Sequence, residues 1–201
     1  MVQGSYFDIK GKKIFYIDSG EGSKKKTVLL LHGYSFSSAD WVNIGAIEQF
    51  SSMGYRVILL DYPGFGKSEP LDEYRIREGQ ILNAGKFICT FLDHAGVKSC
   101  TAIGPSMGGG ILIDSWSFCS DRLNSMILVA PAWFHQSNLS DITCNKLFVW
   151  GDMDDIIPLN GVESIIKSLK NSNLEVIRGG KHAVYLNKPQ EFFSVCRKYM
   201  A

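Results

Sequence analysis

The chain has 201 residues, 45% of them hydrophobic and 20% charged, a size and composition that suit one soluble domain with a substantial core. Its 21 basic and 20 acidic residues leave a formal net charge of +1, which gives no electrostatic reason to expect nucleic acid or an anionic membrane as partner. No stretch nears the eighteen or so consecutive apolar residues of a membrane span.

In chain order, Ser5–Ile9 and Lys12–Ile17, broken by Gly11, read as an edge hairpin. The run Lys24-Lys25-Lys26 reads as a solvated loop before Thr27–Leu31. Further strands are expected at Arg56–Leu60, Cys100–Gly104, Met126–Val129, Lys146–Trp150 and Leu174–Ile177. Their apolar runs lack polar alternation, which implies burial on both faces, as in a parallel sheet covered by helices. Helical patterns lie between them at Asp40–Met53, Tyr74–His94, Met107–Cys119, Asn160–Lys170 and Pro189–Met200, with Asp40 as N-cap and Gly54 as stop for the first. Strand–helix alternation with no repeat or linker predicts an α/β fold, doubly wound, in a single domain over residues 1–201.

Five cysteines, Cys89, Cys100, Cys119, Cys144 and Cys196, stand singly and in odd number. That spacing predicts buried thiols in a reducing compartment rather than a disulfide framework or zinc site. The N-terminal MVQGSYFDIKGKK has no apolar core of signal-peptide length, so the expected location is cytoplasmic.

In open α/β sheets ligands bind beyond the carboxyl ends of the strands. There the sharpest signal is Gly104-Pro105-Ser106-Met107-Gly108, a G-x-S-x-G between an expected strand and an expected helix. Such a turn projects a serine hydroxyl above the sheet, and the glycines let the crowded backbone make it. A serine hydroxyl needs a base to take its proton. Among four histidines, His94 falls late in an amphipathic helix and His135 has no carboxylate nearby. His32, between a strand and Gly33, fits a structural histidine bonded to the loop backbone. His182, in the Gly179–His182 loop before the last helix, stands where the Ser–acid–His order requires the base. The acid should follow a strand between the two; Gly151–Pro158 offers Asp152, Asp154 and Asp155, and spacing alone does not choose. An oxyanion needs backbone N–H donors, which Met107 and the His32-Gly33-Tyr34-Ser35 loop, through Tyr34, would supply.

With these residues assembled, the chain resembles α/β-hydrolase-fold serine hydrolases over essentially its full length, and among them the small, cap-less CIB type. The blocks that carry the resemblance are Val28–Trp41, Gly54–Ser68, Gly104–Gly108, Gly151–Asp154 and Gly180–Pro189. The resemblance implies a three-layer α/β-hydrolase fold with a mostly parallel sheet of about eight strands. It also implies Asp154 as the catalytic acid with Asp152 structural, and Tyr34 and Met107 as oxyanion-hole amides. Serine at the nucleophile position argues against the dehalogenase and epoxide-hydrolase chemistries of the fold. About sixteen residues, Ala130–Asn145, separate two expected strands, too few for a cap domain, so an open site for short acyl groups is expected. The predicted reaction is cleavage of an ester or other acyl bond through an acyl-enzyme, on a small substrate or an acylated amine or protein, without metal or organic cofactor. Acyl transfer, perhydrolysis and a non-catalytic binding role on the same scaffold are the alternatives, and oligomeric state is not legible.

Overall fold

Eight strands form one sheet in the order β1-β2-β4-β3-β5-β6-β7-β8. They span Gly4–Ile9 (β1), Lys12–Asp18 (β2), Thr27–Leu30 (β3), Arg56–Leu60 (β4), Cys100–Pro105 (β5), Leu123–Val129 (β6), Asn145–Gly151 (β7) and Ser172–Ile177 (β8). The computed structural model describes residues 3–20, 26–77, 79–81, 83–134 and 136–200. Lys24 and Lys25 of the expected solvated loop, and His135, lie outside the described residues.

β1 and β2 pair antiparallel with Ile9 opposite Lys12. The two residues between them, Lys10 and Gly11, both have positive φ, as a tight hairpin turn requires. β2 runs antiparallel to β4, and every later pairing is parallel. β3 and β4 are buried along almost their whole length, as continuous apolar runs demand. Alternate residues feed two cores. Leu29, Ile58 and Leu60 face Phe87, Phe91, Ile111 and Leu112 on one side. Val28, Leu30, Val57 and Leu59 face Trp41, Phe50, Phe192 and Phe193 on the other.

The covering helices are Ser38–Asn43 (α1), Ala46–Ser52 (α2), Ala84–His94 (α3), Met107–Cys119 (α4), Gln136–Asp141 (α5), Val162–Ser168 (α6), Val184–Asn187 (α7) and Pro189–Met200 (α8). α4 and α8 match the expected bounds, while three other expectations need correction. The pattern at 40–53 is two helices, because Gly45 takes a left-handed φ of 76° and starts α2 afresh. The cap of α1 is Ser37, with Asp40 completing a capping box three residues on, so Asp40 is not the N-cap. The pattern at 74–94 is helical only from Ala84. Before it, a 3-10 turn over Asp72–Tyr74 and irregular backbone still bury Leu71, Tyr74, Ile76 and Ile81. The short helices α5 and α7 were not anticipated. Among the described residues the connection from β6 to β7 holds only α5, with no cap domain.

The cysteine expectation is overturned in part. Cys89 on α3 and Cys119 on α4 form a disulfide with a Cα–Cα distance of 5.8 Å. The two are 30 residues apart and meet only because α3 packs against α4, which no local spacing reveals. Cys100, Cys144 and Cys196 are free thiols.

Candidate active site

β4 lies on one side of β3 and β5 on the other, so the carboxyl ends of β3 and β5 bound the crevice where the chain reverses its winding. Ser106 stands at the tip of β5 with φ 49° and ψ −117°, a conformation costly for a side-chain-bearing residue, on the order of 1–3 kcal/mol. The strain is held from several directions. The Ser106 amide donates to Val129 O (2.8 Å), and its carbonyl accepts from Gly110 N (3.1 Å) and Ala132 N (3.0 Å). The turn is also sterically closed to side chains: a Cβ on Gly104 would sit 2.5 Å from Gly108 C, and one on Gly108 would sit 2.7 Å from His32 O.

Asp154 and His182 come from the loops after β7 and β8 and meet directly. His182 Nδ1 lies 2.9 Å from Asp154 Oδ2, across 28 residues of sequence. The Asp154 side chain is fully shielded and that of His182 is 13% exposed, so the pair is screened on the acid's side and open on the imidazole's. The other carboxylate oxygen, Oδ1, accepts from the amides of Ile156 (3.0 Å) and Ile157 (2.8 Å), which fixes its rotamer. The two loops touch because Met153 N donates to Gly180 O (2.8 Å) and because Gly151 has no Cβ, which would collide with the Gly180 carbonyl. Asp152 Oδ1 accepts from Gly179 N (2.6 Å), a loop tie rather than a second partner for the imidazole. Asp155 is exposed. Ser106 Oγ makes no hydrogen bond to His182 or to any other described residue.

Among the described residues, the amides of Tyr34 and Met107 donate to no protein acceptor. Met107 opens α4, where first-turn N–H groups have no intrahelical partner and the dipole favours negative charge. Tyr34 is carried by a loop that His32 organises. His32 Nδ1 lies 2.8 Å from Gly33 O, and Nε2 accepts from Tyr62 N at 3.1 Å. This is the neutral tautomer with the proton on Nδ1, and burial pushes the His32 pKa below its ordinary 6.5. His32 is thus structural, as its position implied. His94, in the last turn of α3, stacks on Phe7 at 4.3 Å between ring centroids, away from this edge.

Three neighbours of the site were given no role of their own in the sequence reading, although Asp61 and Phe65 lie in the Gly54–Ser68 block. Buried Asp61 accepts from Ser38 N (2.6 Å) and Lys67 N (2.8 Å) and so ties the loops after β3 and β4. Phe65 and Trp133 pack edge-on against the Tyr34 ring, with centroids 5.5 Å and 5.2 Å away. Asp61 follows a strand directly, which is the one cue that would have found it. The aromatic pair is a product of tertiary packing.

Comparison with known proteins agrees with this architecture. The profile of the α/β hydrolase fold matches residues 26–143. ABHD14B of Rattus norvegicus, whose name proposes protein-lysine deacylase activity, is 30% identical over 198 residues, covering 92% of this chain and 89% of the relative. ABHD14B of Homo sapiens is 28% identical over 197 residues, covering 92% of this chain and 88% of the relative. A crystal structure from Thermoplasma acidophilum, described as a predicted CIB-like hydrolase, superposes with a TM-score of 0.93 at 32% identity, covering 100% of this chain and 98% of that one. The chain belongs to the α/β-hydrolase fold family, as a hydrolase similar over its full length to the small CIB-type members.

Proposed function

We propose that this hydrolase cleaves acyl bonds by a serine mechanism in which Ser106 is the nucleophile, His182 the general base and Asp154 the orienting acid. The observation that carries the reading is the 2.9 Å contact between His182 Nδ1 and Asp154 Oδ2, on the sheet edge that also bears the strained Ser106 turn. A carboxylate on Nδ1 holds that proton and leaves Nε2 as the acceptor for a hydroxyl proton. Ser106 Oγ attacks the acyl carbonyl as His182 takes its proton, and the same imidazole returns it to the departing alcohol or amine. Water, deprotonated by His182, then attacks the acyl-enzyme and releases the acid. The oxyanion of each tetrahedral intermediate is received by the amides of Tyr34 and Met107, both of which lack a protein acceptor.

The whole chain acts as one catalytic domain in this reading and calls on no cofactor. The short β6–β7 connection leaves the site uncovered, which favours short acyl groups or an acyl group on a large carrier over an enclosed lipid. The name of the ABHD14B relatives makes acylated lysine a natural substrate to test. Among the described residues no helix is long and apolar enough to cross a membrane. A cytoplasmic location would hold Cys89 and Cys119 as a dithiol, and the bonded form belongs to an oxidising setting.

The test is a panel of p-nitrophenyl esters of increasing chain length and of acylated lysine peptides, run on the wild type and on Ser106→Ala. The expected result is turnover that favours acetyl or butyryl over long chains and falls at least about a thousandfold in the variant. Undiminished turnover by Ser106→Ala would overturn the mechanism, and a preference for long-chain esters would overturn the open-site argument.

A further inference from the structure

A cavity of about 240 Å³ is lined by Tyr34, Phe65, Pro70, Leu71, Arg75 and Ile76. It is smaller than the several hundred Å³ of sites that enclose whole metabolites, and so it suits a short chain rather than a complete ligand. Its exposed wall is about as polar as it is apolar, and Leu71 and Ile76 contribute to it from almost completely buried positions. The residue whose amide is assigned to the oxyanion forms one side. Tyr34 is thus the residue through which a chain in the cavity would adjoin the oxyanion position.

Arg75 is the charged member of this wall. Among the described residues its guanidinium has no ion-pair or hydrogen-bond partner, and the segment that carries it is the irregular backbone between Tyr74 and α3. Arg75 also borders an adjoining cleft of about 340 Å³ with Asp72, Arg77 and Gln80. Among the described residues that line it, two guanidinium groups stand beside one carboxylate. Arginine stays charged at any physiological pH, and its planar fork matches a carboxylate in a bidentate pair.

We propose that Arg75 selects acyl groups that end in a carboxylate, the four- and five-carbon dicarboxylic acyls such as succinyl and glutaryl, with their methylenes against Phe65, Leu71 and Ile76. The proposal rests on the serine-hydrolase reading for its chemistry. The acyl C–N or C–O bond breaks, water supplies a hydroxyl to the acyl carbon and a proton to the leaving group, and a free dicarboxylate departs. A methyl-terminated acyl of equal length would fill the same space and leave Arg75 without a partner.

The experiment uses two copies of one lysine peptide, one succinylated and one butyrylated, which differ by a carboxylate in place of a methyl group. Binding is measured by calorimetry on the full chain carrying Ser106→Ala, so that the readout does not depend on turnover. The succinyl peptide is expected to bind about tenfold tighter. Adding Arg75→Gln brings the two to near parity by weakening the succinyl peptide alone, while Arg75→Lys keeps part of the preference. Equal binding of the two peptides overturns the proposal, as does an Arg75→Gln loss that falls equally on both, or no binding of either at millimolar concentration. A wild type that binds the succinyl peptide selectively but releases neither acyl group would instead contradict the hydrolase reading and leave the role of Arg75 standing.

Discussion

His182 meets Asp154 through one carboxylate oxygen, while the amides of Ile156 and Ile157 hold the other, so the imidazole's partner is immobilised before any substrate arrives. Replacing Asp154 by Asn keeps the shape and leaves an amide that can present its N–H to the ring, favouring the wrong tautomer. Asp154→Asn is expected to lower kcat on the best ester by about 10⁴-fold while KM changes little. Stopped-flow and steady-state assays check this, and a loss below tenfold would remove Asp154 from the mechanism.

The approach of Gly151 to Gly180 brings the β8 loop over the end of β7 and so sets the position of His182. A methyl group at 151 would strike the Gly180 carbonyl. Gly151→Ala is expected to cost about 1–3 kcal/mol of stability and about 100-fold in kcat/KM, since a shift of about 1 Å at the base is enough for the latter. Urea unfolding and ester kinetics on the same preparation read both numbers. An active, fully stable variant would mean that the loops do not depend on this contact.

Burial holds the His32 pKa below 6.5, with the bond to Gly33 O and the nearby Asp61 and Asp40 opposing it less strongly. The unfolded chain therefore binds a proton that the folded protein refuses, and stability is complete above about pH 6.5 and falls as pH drops below it. The slope contributed by this group is at most about 1.4 kcal/mol per pH unit. Urea midpoints at pH 7.5 and pH 5 measure it. His32→Gln should be less stable at pH 7.5 and show a shallower decline, and an unchanged slope would assign the acid sensitivity elsewhere.

Lys146 is completely buried and its ammonium donates to the carbonyls of Ile142 (2.7 Å), Cys144 (3.1 Å) and Lys170 (3.1 Å). It joins the turns before β7 and β8 at the end of the sheet opposite the site. Lys146→Met preserves the stem but leaves those acceptors without their donor, at a cost of about 1–3 kcal/mol. Ester kinetics at 25 °C should be unchanged while the thermal midpoint falls. A loss of activity without a loss of stability would contradict a purely structural role.

The disulfide closes a segment of 30 residues between α3 and α4, the helix that follows Ser106. Reduction or Cys89→Ser is expected to lower stability by about 3.6 kcal/mol in the chain-entropy description. Urea curves with and without dithiothreitol test it, and coincident curves would mean that the bridge is not formed in solution.

The sheet was legible because its strands are unbroken apolar runs, and runs such as TVLL and RVILL admit few other roles. The candidate site was legible to the extent that it sits at strand ends: Ser106, Asp154 and His182 each follow a strand, and the structure joins the last two. Tyr74, Ile76 and Ile81 satisfy an amphipathic helical pattern, yet among the described residues before α3 they bury themselves without forming an α-helix. Asn83, left-handed at φ 61°, marks the true start of α3. The Cys89–Cys119 bridge, the Asp61 tie and the aromatic wall of Phe65 and Trp133 are contacts between distant segments, and no local periodicity encodes them.

The central claim is that the Ser106 hydroxyl is activated by the His182–Asp154 pair. A fluorophosphonate reacts far faster with such an activated hydroxyl than with an ordinary one, and peptide mass spectrometry locates the adduct. The account predicts one phosphonylated site, Ser106, formed rapidly in the wild type and slowed at least about a hundredfold in His182→Ala. Labelling elsewhere, no labelling, or equal rates in wild type and His182→Ala would contradict it.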